Sequence, residues 1–263
     1  VDNIIPHEAR PGDRAFTRYF VKPVDGFIAM SQSVFEQISL FSDRPKRLSP
    51  HPIFDNFGQL ATREEAHQKL GLDPTYKYLL FFGLIREYKG LDLLLEAFAD
   101  ARFRGTNIKL IVAGEFYTDR GPYDRLIEKH QLSADIIQVD RFIQDSEVAD
   151  YFNAADLLVL PYKTATQSGV TQIAYHFNTP MIVTDVGGLA EGCPDGKVGY
   201  VVAPKPDAIT NAILRFFAED NPIDFVAGIK EEKKKYSWEI LTQNILGLRD
   251  QVLSNAQPNF PVD

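Results

Sequence analysis

Two cations three residues apart, Arg86 and Lys89, follow a glycine at the end of an apolar run in FFGLIREYKG (81–90). A guanidinium is a planar fork that can bind two phosphate oxygens at once, and an ammonium adds a compact point charge. Behind Gly83, where a strand hands the chain to a helix, the pair would suit a phosphate group. Two cations in a surface loop are explained as well by solvation alone. A second candidate is YKTATQSGVTQIAYHF (162–177), a polar loop that runs into a helix from Gly169. The unpaired amide hydrogens of a helix start, with its dipole, attract an anion. Ser168 or Gln167 would serve equally as an ordinary N-cap there. The third candidate is DVGGLAEG (185–192), where Gly187 and Gly188 permit close backbone approach and Glu191 follows. A plain tight turn accounts for those glycines equally.

Other chemistry finds little support. The chain has no GxGxxG, Walker loop, HExxH, GxSxG or paired-cysteine spacing. Its five histidines, at 7, 51, 67, 130 and 176, have no carboxylate at metal-ligand spacing, so no metal site is expected. The lone Cys193 excludes an intrachain disulfide and reads as structural. The 263 residues are 44% hydrophobic, ample for a packed core. A net charge of −8 argues against a general nucleic-acid surface and gives no sign of a basic membrane-docking face. No run approaches the ~18 apolar residues of a spanning helix, and VDNIIPHEAR does not read as a signal peptide. The expectation is a soluble cytoplasmic protein, compatible with peripheral attachment at the inner membrane face.

The elements that must position these loops alternate. Strands are expected at 76–83, 107–115, 135–142 and 156–162, within 180–188 running into a double-Gly turn, and at 199–204. Helices are expected at 90–101, 123–131, 145–155, 169–177 and 206–220, with Asp145 as an N-cap. Strands separated by helices and apolar on both faces mean α/β with a doubly wound parallel sheet, whose ligand crevice lies at the carboxyl ends of the strands. Before this series, 24–31 reads as a strand, Ser33-x-x-Glu36 as a capping box, and the Pro-rich stretch 44–58 as a linker. Thr62-x-x-Glu65 is a further capping box, opening a helix that Gly71 ends. After it come a solvated charge run, KEEKKK (230–235), a helix at 237–253 and a loose tail, AQPNFPVD.

Several stretches, in order, resemble the nucleotide-sugar-binding half of retaining glycosyltransferases of family four, which have the two-domain GT-B fold. They are FGLIREYKGLDLLLEAF (82–98), IKLIVAGE (108–115), VDRFIQDSEVADYFNAADLLVLPY (139–162), GVTQIAYHFNTPMIVTDVGGLAE (169–191) and GKVGYVVAP (196–204). PHPIFDNFG (50–58) resembles the family's interdomain linker, and IIPHE and DGFIAMS the end of its acceptor-side domain. Two complete Rossmann-like domains need roughly 300–400 residues, so much of the acceptor domain is expected to be missing. The implied division is a remnant over 1–50, a donor-binding Rossmann-like domain over 51–236, and a C-terminal helix and tail over 237–263.

The resemblance implies a metal-independent, retaining transfer of sugar from a UDP- or GDP-sugar to a saccharide or lipid-linked acceptor, with no cofactor. Arg86 and Lys89, beside Gly83, would grip the diphosphate. Gln167, Ser168, Gly169 and Thr171 would bind phosphate and ribose, and Glu191 would lie near the donor. The turn Arg141–Phe142–Ile143 would contact the base, while His7 or Glu8 would face the reaction centre. One departure stands out. Where many members carry two glutamates flanking this helix, the second holding the ribose, this chain has Ala165 and Ile173. Ribose recognition would then fall to Thr166, Gln167 or Ser168. The rival reading is a nucleotide-sugar-binding module without catalysis, which the loss of those glutamates favours. An epimerase or phosphorylase relative lacks its acid/base pair or cofactor lysine, and a dehydrogenase lacks GxGxxG.

Overall fold

A computed structural model describes residues 1, 3, 4 and 11–256. In chain order the elements are α1 (Asp13–Val21), β1 (Phe27–Ala29), α2 (Gln32–Ile38), β2 (Lys46–Leu48), α3 (Arg63–Leu70), β3 (Lys77–Phe82), α4 (Leu91–Phe98), β4 (Ile108–Ala113), α5 (Gly121–Lys129), β5 (Ile136–Val139), α6 (Asp145–Ala154), β6 (Leu157–Leu160), α7 (Gly169–Phe177), β7 (Met181–Thr184), β8 (Gly199–Val202), α8 (Pro206–Phe216), α9 (Phe225–Glu232) and α10 (Trp238–Ala256). They form two compact units. One comprises residues 1–53 with 234–263, the other 54–233.

In the larger unit, β3 to β8 build one sheet in the order β5-β4-β3-β6-β7-β8, every neighbouring pair parallel. Alternate residues of β3 enter different layers, as strand geometry demands. Leu79 and Phe81 join Leu91, Leu94, Leu95, Phe98, Ile209 and Ile213 of α4 and α8 in one core cluster. Tyr78 and Phe82 meet the rings of His67 on α3 and Phe152 on α6 instead. From β3 the chain winds outward to β5, then returns to β6 on the other side of β3 and winds outward to β8. That reversal opens a crevice at the carboxyl ends of β3 and β6. The expected α/β doubly wound parallel sheet is therefore the fold observed. In the smaller unit, β1 pairs in parallel with β2 (Phe27↔Lys46, Ala29↔Leu48), over a core of Val21, Phe27, Val34 and Ile38. Helix α10 packs so closely on it that a Cβ at Gly26 would lie 3.1 Å from Val252. Among the described residues no helix is long and apolar enough to cross a membrane.

Several local expectations give way. Ser31, not Ser33, caps α2, its Oγ accepting the Val34 N–H at 3.2 Å. Gln144, not Asp145, precedes α6, donating its N–H to Glu147 at 3.1 Å. The stretch 44–58 contains β2, a strand too short to show alternation. The charge run 230–235 is not wholly solvated, since Glu232 is buried and pairs with Lys197 at 3.0 Å. At Thr62 the capping box is present as expected, and Gly71 ends α3 at φ 64°.

Candidate functional site

All three candidate loops leave carboxyl ends of strands in the larger unit and meet there. After β3 the chain passes Gly83 and turns once through a 3₁₀ segment, Glu87–Lys89. After β6 it runs through 161–168 into α7, and after β7 through Gly187 and Gly188 to a 3₁₀ turn at Ala190–Gly192. Gly83 measures how tightly the first two converge. A Cβ there would stand 3.2 Å from Lys89 Nζ and 3.8 Å from Val170 in the first turn of α7. Lys163 N–H donates to the Tyr88 carbonyl at 2.7 Å, and the rings of Tyr88 and Tyr162 meet edge to face at 5.8 Å. The third loop closes on the second. Any Cβ on Gly187 or Gly188 would collide with the carbonyls of Ala165 and Thr166, and one on Gly192 would lie 3.5 Å from Thr171 Oγ1.

The electrostatics of this corner are unbalanced. Lys89 is only 8% exposed, its ammonium 5.8 Å from the centre of the Tyr162 ring. No carboxylate pairs with it among the described residues, and its charged neighbour is Arg86. Burial, reinforced by that guanidinium, pushes the Lys89 pKa down to about 8. Lys163 next door is neutralised by Asp92 at 2.7 Å. Among the described residues the exposed Arg86 also has no carboxylate partner, and it stacks on Tyr117, 5.3 Å from the ring centre. Lys89 thus sits buried near the start of α7, with Arg86 as its charged neighbour and no counter-charge among the described residues. Buried ions of that kind are kept where an anion is bound.

Ser168 is the N-cap of α7, its Oγ accepting the Val170 N–H at 3.3 Å and sharing a 3.2 Å hydrogen bond with the Tyr162 hydroxyl. Thr171 is buried, and its hydroxyl donates to the Ser168 carbonyl at 2.6 Å. Gln167 is half-buried, and Gly169 is exposed at the helix start. Glu191 is exposed at the rim, its Oε1 3.3 Å from where a Gly188 Cβ would be. Phe142 and Ile143 line a mainly apolar cavity of about 170 Å³, together with Gly83, Phe57 and Ile173. Arg141 turns away into a two-pronged pair with Glu147 at 2.6 and 2.7 Å. Ala165 and Ile173, where a glutamate pair would stand, are buried. His7 and Glu8 lie outside the described residues, as do 257–263 of the expected tail.

Two features escaped the sequence. Phe54 and Phe57, in the stretch expected to be linker, wall the site. Phe54 would touch a Cβ at Gly169 at 3.2 Å, and Phe57 lines the cavity. Tyr117, under Arg86, also went unread. The sequence signal for it is the aromatic pair Phe116–Tyr117, two residues beyond the glycine that follows β4.

Comparison with known proteins agrees with the fold. Residues 62–236 match the family model described as glycosyl transferases group 1, well over half of the chain. The chain is 29% identical over 232 residues to D-inositol 3-phosphate glycosyltransferase 2 of Catenulispora acidiphila, covering 83% of this chain and 54% of that protein. It spans about half the length of the curated relatives it matches. Among solved structures it resembles sucrose-phosphate synthase of Thermosynechococcus elongatus (TM-score 0.79, 21% identity, 95% of this chain and 63% of that one). It also resembles Anabaena HepE in complex with UDP (TM-score 0.77, 15% identity, 97% and 70%). The matched segment carries all three convergent loops, and the chain belongs to the glycosyl transferases group 1 family.

Proposed function

We propose that this chain forms the donor-binding part of an enzyme that moves a sugar from a UDP- or GDP-sugar to a saccharide or lipid-linked acceptor, with retention and without a metal ion. The observation that carries the reading is the buried Lys89, without a carboxylate partner among the described residues, beside Arg86 and near the start of α7. When a sugar leaves a nucleoside diphosphate, negative charge gathers on the departing phosphate while the anomeric carbon becomes oxocarbenium-like. Donors fixed where that charge develops are worth more in the transition state than in the ground state. Arg86, Lys89 and the Gly169 amide at the start of α7 would supply such donors. In a retaining transfer the departing phosphate, held by these groups, would take the proton of the incoming hydroxyl. The base would lie in the cavity beside Phe57 and Phe142, and Thr166, Gln167 or Ser168 would meet the ribose. That HepE was solved with UDP, and that curated relatives are named glycosyltransferases, supports the same reading.

Calorimetric titration tests it. UDP or GDP should saturate the protein, and Arg86→Ala should weaken that binding by about 1.5–3 kcal/mol, the range of a charged hydrogen bond, or roughly tenfold to a hundredfold. Unchanged affinity would remove Arg86 from the site. A transfer or donor-hydrolysis assay on the native polypeptide separates an enzyme from a module that only binds, which would saturate without turnover.

A further inference from the structure

We propose that Tyr117 is a positioning residue that holds Arg86 over the phosphate site, an inference that rests on Arg86 being a phosphate ligand. Beyond the ends of β3 and β4 the two chains stay paired through a bridge between Ile85 and Phe116. Ile85 N–H donates to the Glu115 carbonyl at 2.8 Å, and Tyr117 N–H donates back to the Ile85 carbonyl at 2.9 Å. Ile85 is fully buried, so this clasp is anchored in the core. It fixes the backbone of Tyr117 next to that of Arg86, and the phenol ring receives the guanidinium at 5.3 Å.

The adjoining pair shows what is particular here. Arg120 lies over the Phe116 ring at 5.6 Å, yet it is also bound to Asp124 at 3.0 Å and Asp140 at 2.8 Å. Its charge is spent and its orientation is set by carboxylates. Among the described residues, Arg86 has the aromatic support without the acids. A carboxylate would orient the guanidinium too, but would cancel the charge an incoming phosphate needs. A ring face orients it and leaves all its N–H groups for oxygen acceptors. Tyr117 is itself 57% exposed, an aromatic left at the surface by packing and usable as a platform.

Titration of UDP and GDP into the wild-type chain, Tyr117→Leu, Tyr117→Phe and the Arg86→Ala/Tyr117→Leu double variant decides the matter. Tyr117→Leu should weaken binding about two- to fivefold, the reach of a partly exposed cation–π contact. Tyr117→Phe should keep wild-type affinity, because the ring and not the hydroxyl does the holding. In the Arg86→Ala background, Tyr117→Leu should have no further effect. Wild-type affinity in Tyr117→Leu would overturn the proposal while leaving the donor site standing. So would an equal loss with and without Arg86, which marks a merely structural role. If the wild-type chain binds neither nucleotide, the donor-site reading fails and this proposal falls with it.

Discussion

A lysine 8% exposed, with Arg86 rather than a carboxylate for company, is destabilising in the free protein. Its pKa of about 8, against an ordinary 10.5, fixes the sign. Between those values the unfolded chain holds the proton and the folded chain does not, so the free protein should gain stability as pH rises through that window. Binding runs the other way. A nucleoside diphosphate is fully ionised well below pH 8, so its affinity should fall as Lys89 loses its proton above about pH 8. Lys89→Met separates the two effects. Without nucleotide it should raise the Tm by about 2–4 °C, the shift that about 1 kcal/mol produces in a chain of this size. It should also shrink the nucleotide-induced Tm shift and remove the decline of that shift above about pH 8. A thermal-shift series with and without UDP or GDP measures all of this, and a lowered Tm in the free variant would make Lys89 an ordinary packing residue. The types at 86 and 89 were legible in the sequence because a guanidinium and an ammonium behind a strand-ending glycine are chemistry by themselves. Burial and the missing carboxylate were not legible, because they depend on Tyr162, which covers Lys89, and on Lys163, which takes the nearby Asp92, both far along the chain.

At the scale of elements, the cleft exists because backbones approach where side chains would forbid it. Gly90 adopts φ 68° between the 3₁₀ turn and α4, and a Cβ on it would run into the Pro161 carbonyl. Gly71 has nearly the same φ, 64°, with nothing within 4 Å of a Cβ. Gly71→Ala should therefore cost only the left-handed conformation, about 1 kcal/mol. Gly90→Ala should cost about 2–4 kcal/mol and spread the loops that hold Lys89 and Lys163. Urea unfolding compares the two directly, and equal losses would mean that the contact at Pro161 relaxes freely. The same distinction explains what the sequence disclosed about elements. Apolar runs such as 77–82 and the helical stripe 169–177 announce themselves by period and length. The three-residue β1 and β2 have no room for a period. Helix α1 shows a face of Phe16, Tyr19 and Phe20 that is exposed, so its pattern pointed to no partner. Glu232 looked like one more charge in a basic run until Lys197 arrived from the loop before β8.

For the whole molecule, the strand order decides where chemistry can occur. Reversal between β3 and β6 sets the loops after β3, β4, β6 and β7 around one opening, and every group assigned to the donor in the described residues lies on them, on α7, or on the stretches 54–57 and 141–143. All of these belong to residues 54–233, a unit with its own core of Leu79, Phe81, Leu94, Leu110, Leu157 and Ile213. Residues 1–53 with 234–263 have a separate, smaller core around Phe27, Val34 and Ile38. A unit of this size that buries its own apolar layers and keeps its sheet whole has what independent folding requires. The polypeptide 54–233 should accordingly unfold in one cooperative urea transition and bind UDP or GDP within about threefold of the full chain. A non-cooperative transition would show that the sheet depends on the smaller unit. A cooperative transition with binding lost would mean instead that the donor pocket takes a necessary group from outside 54–233.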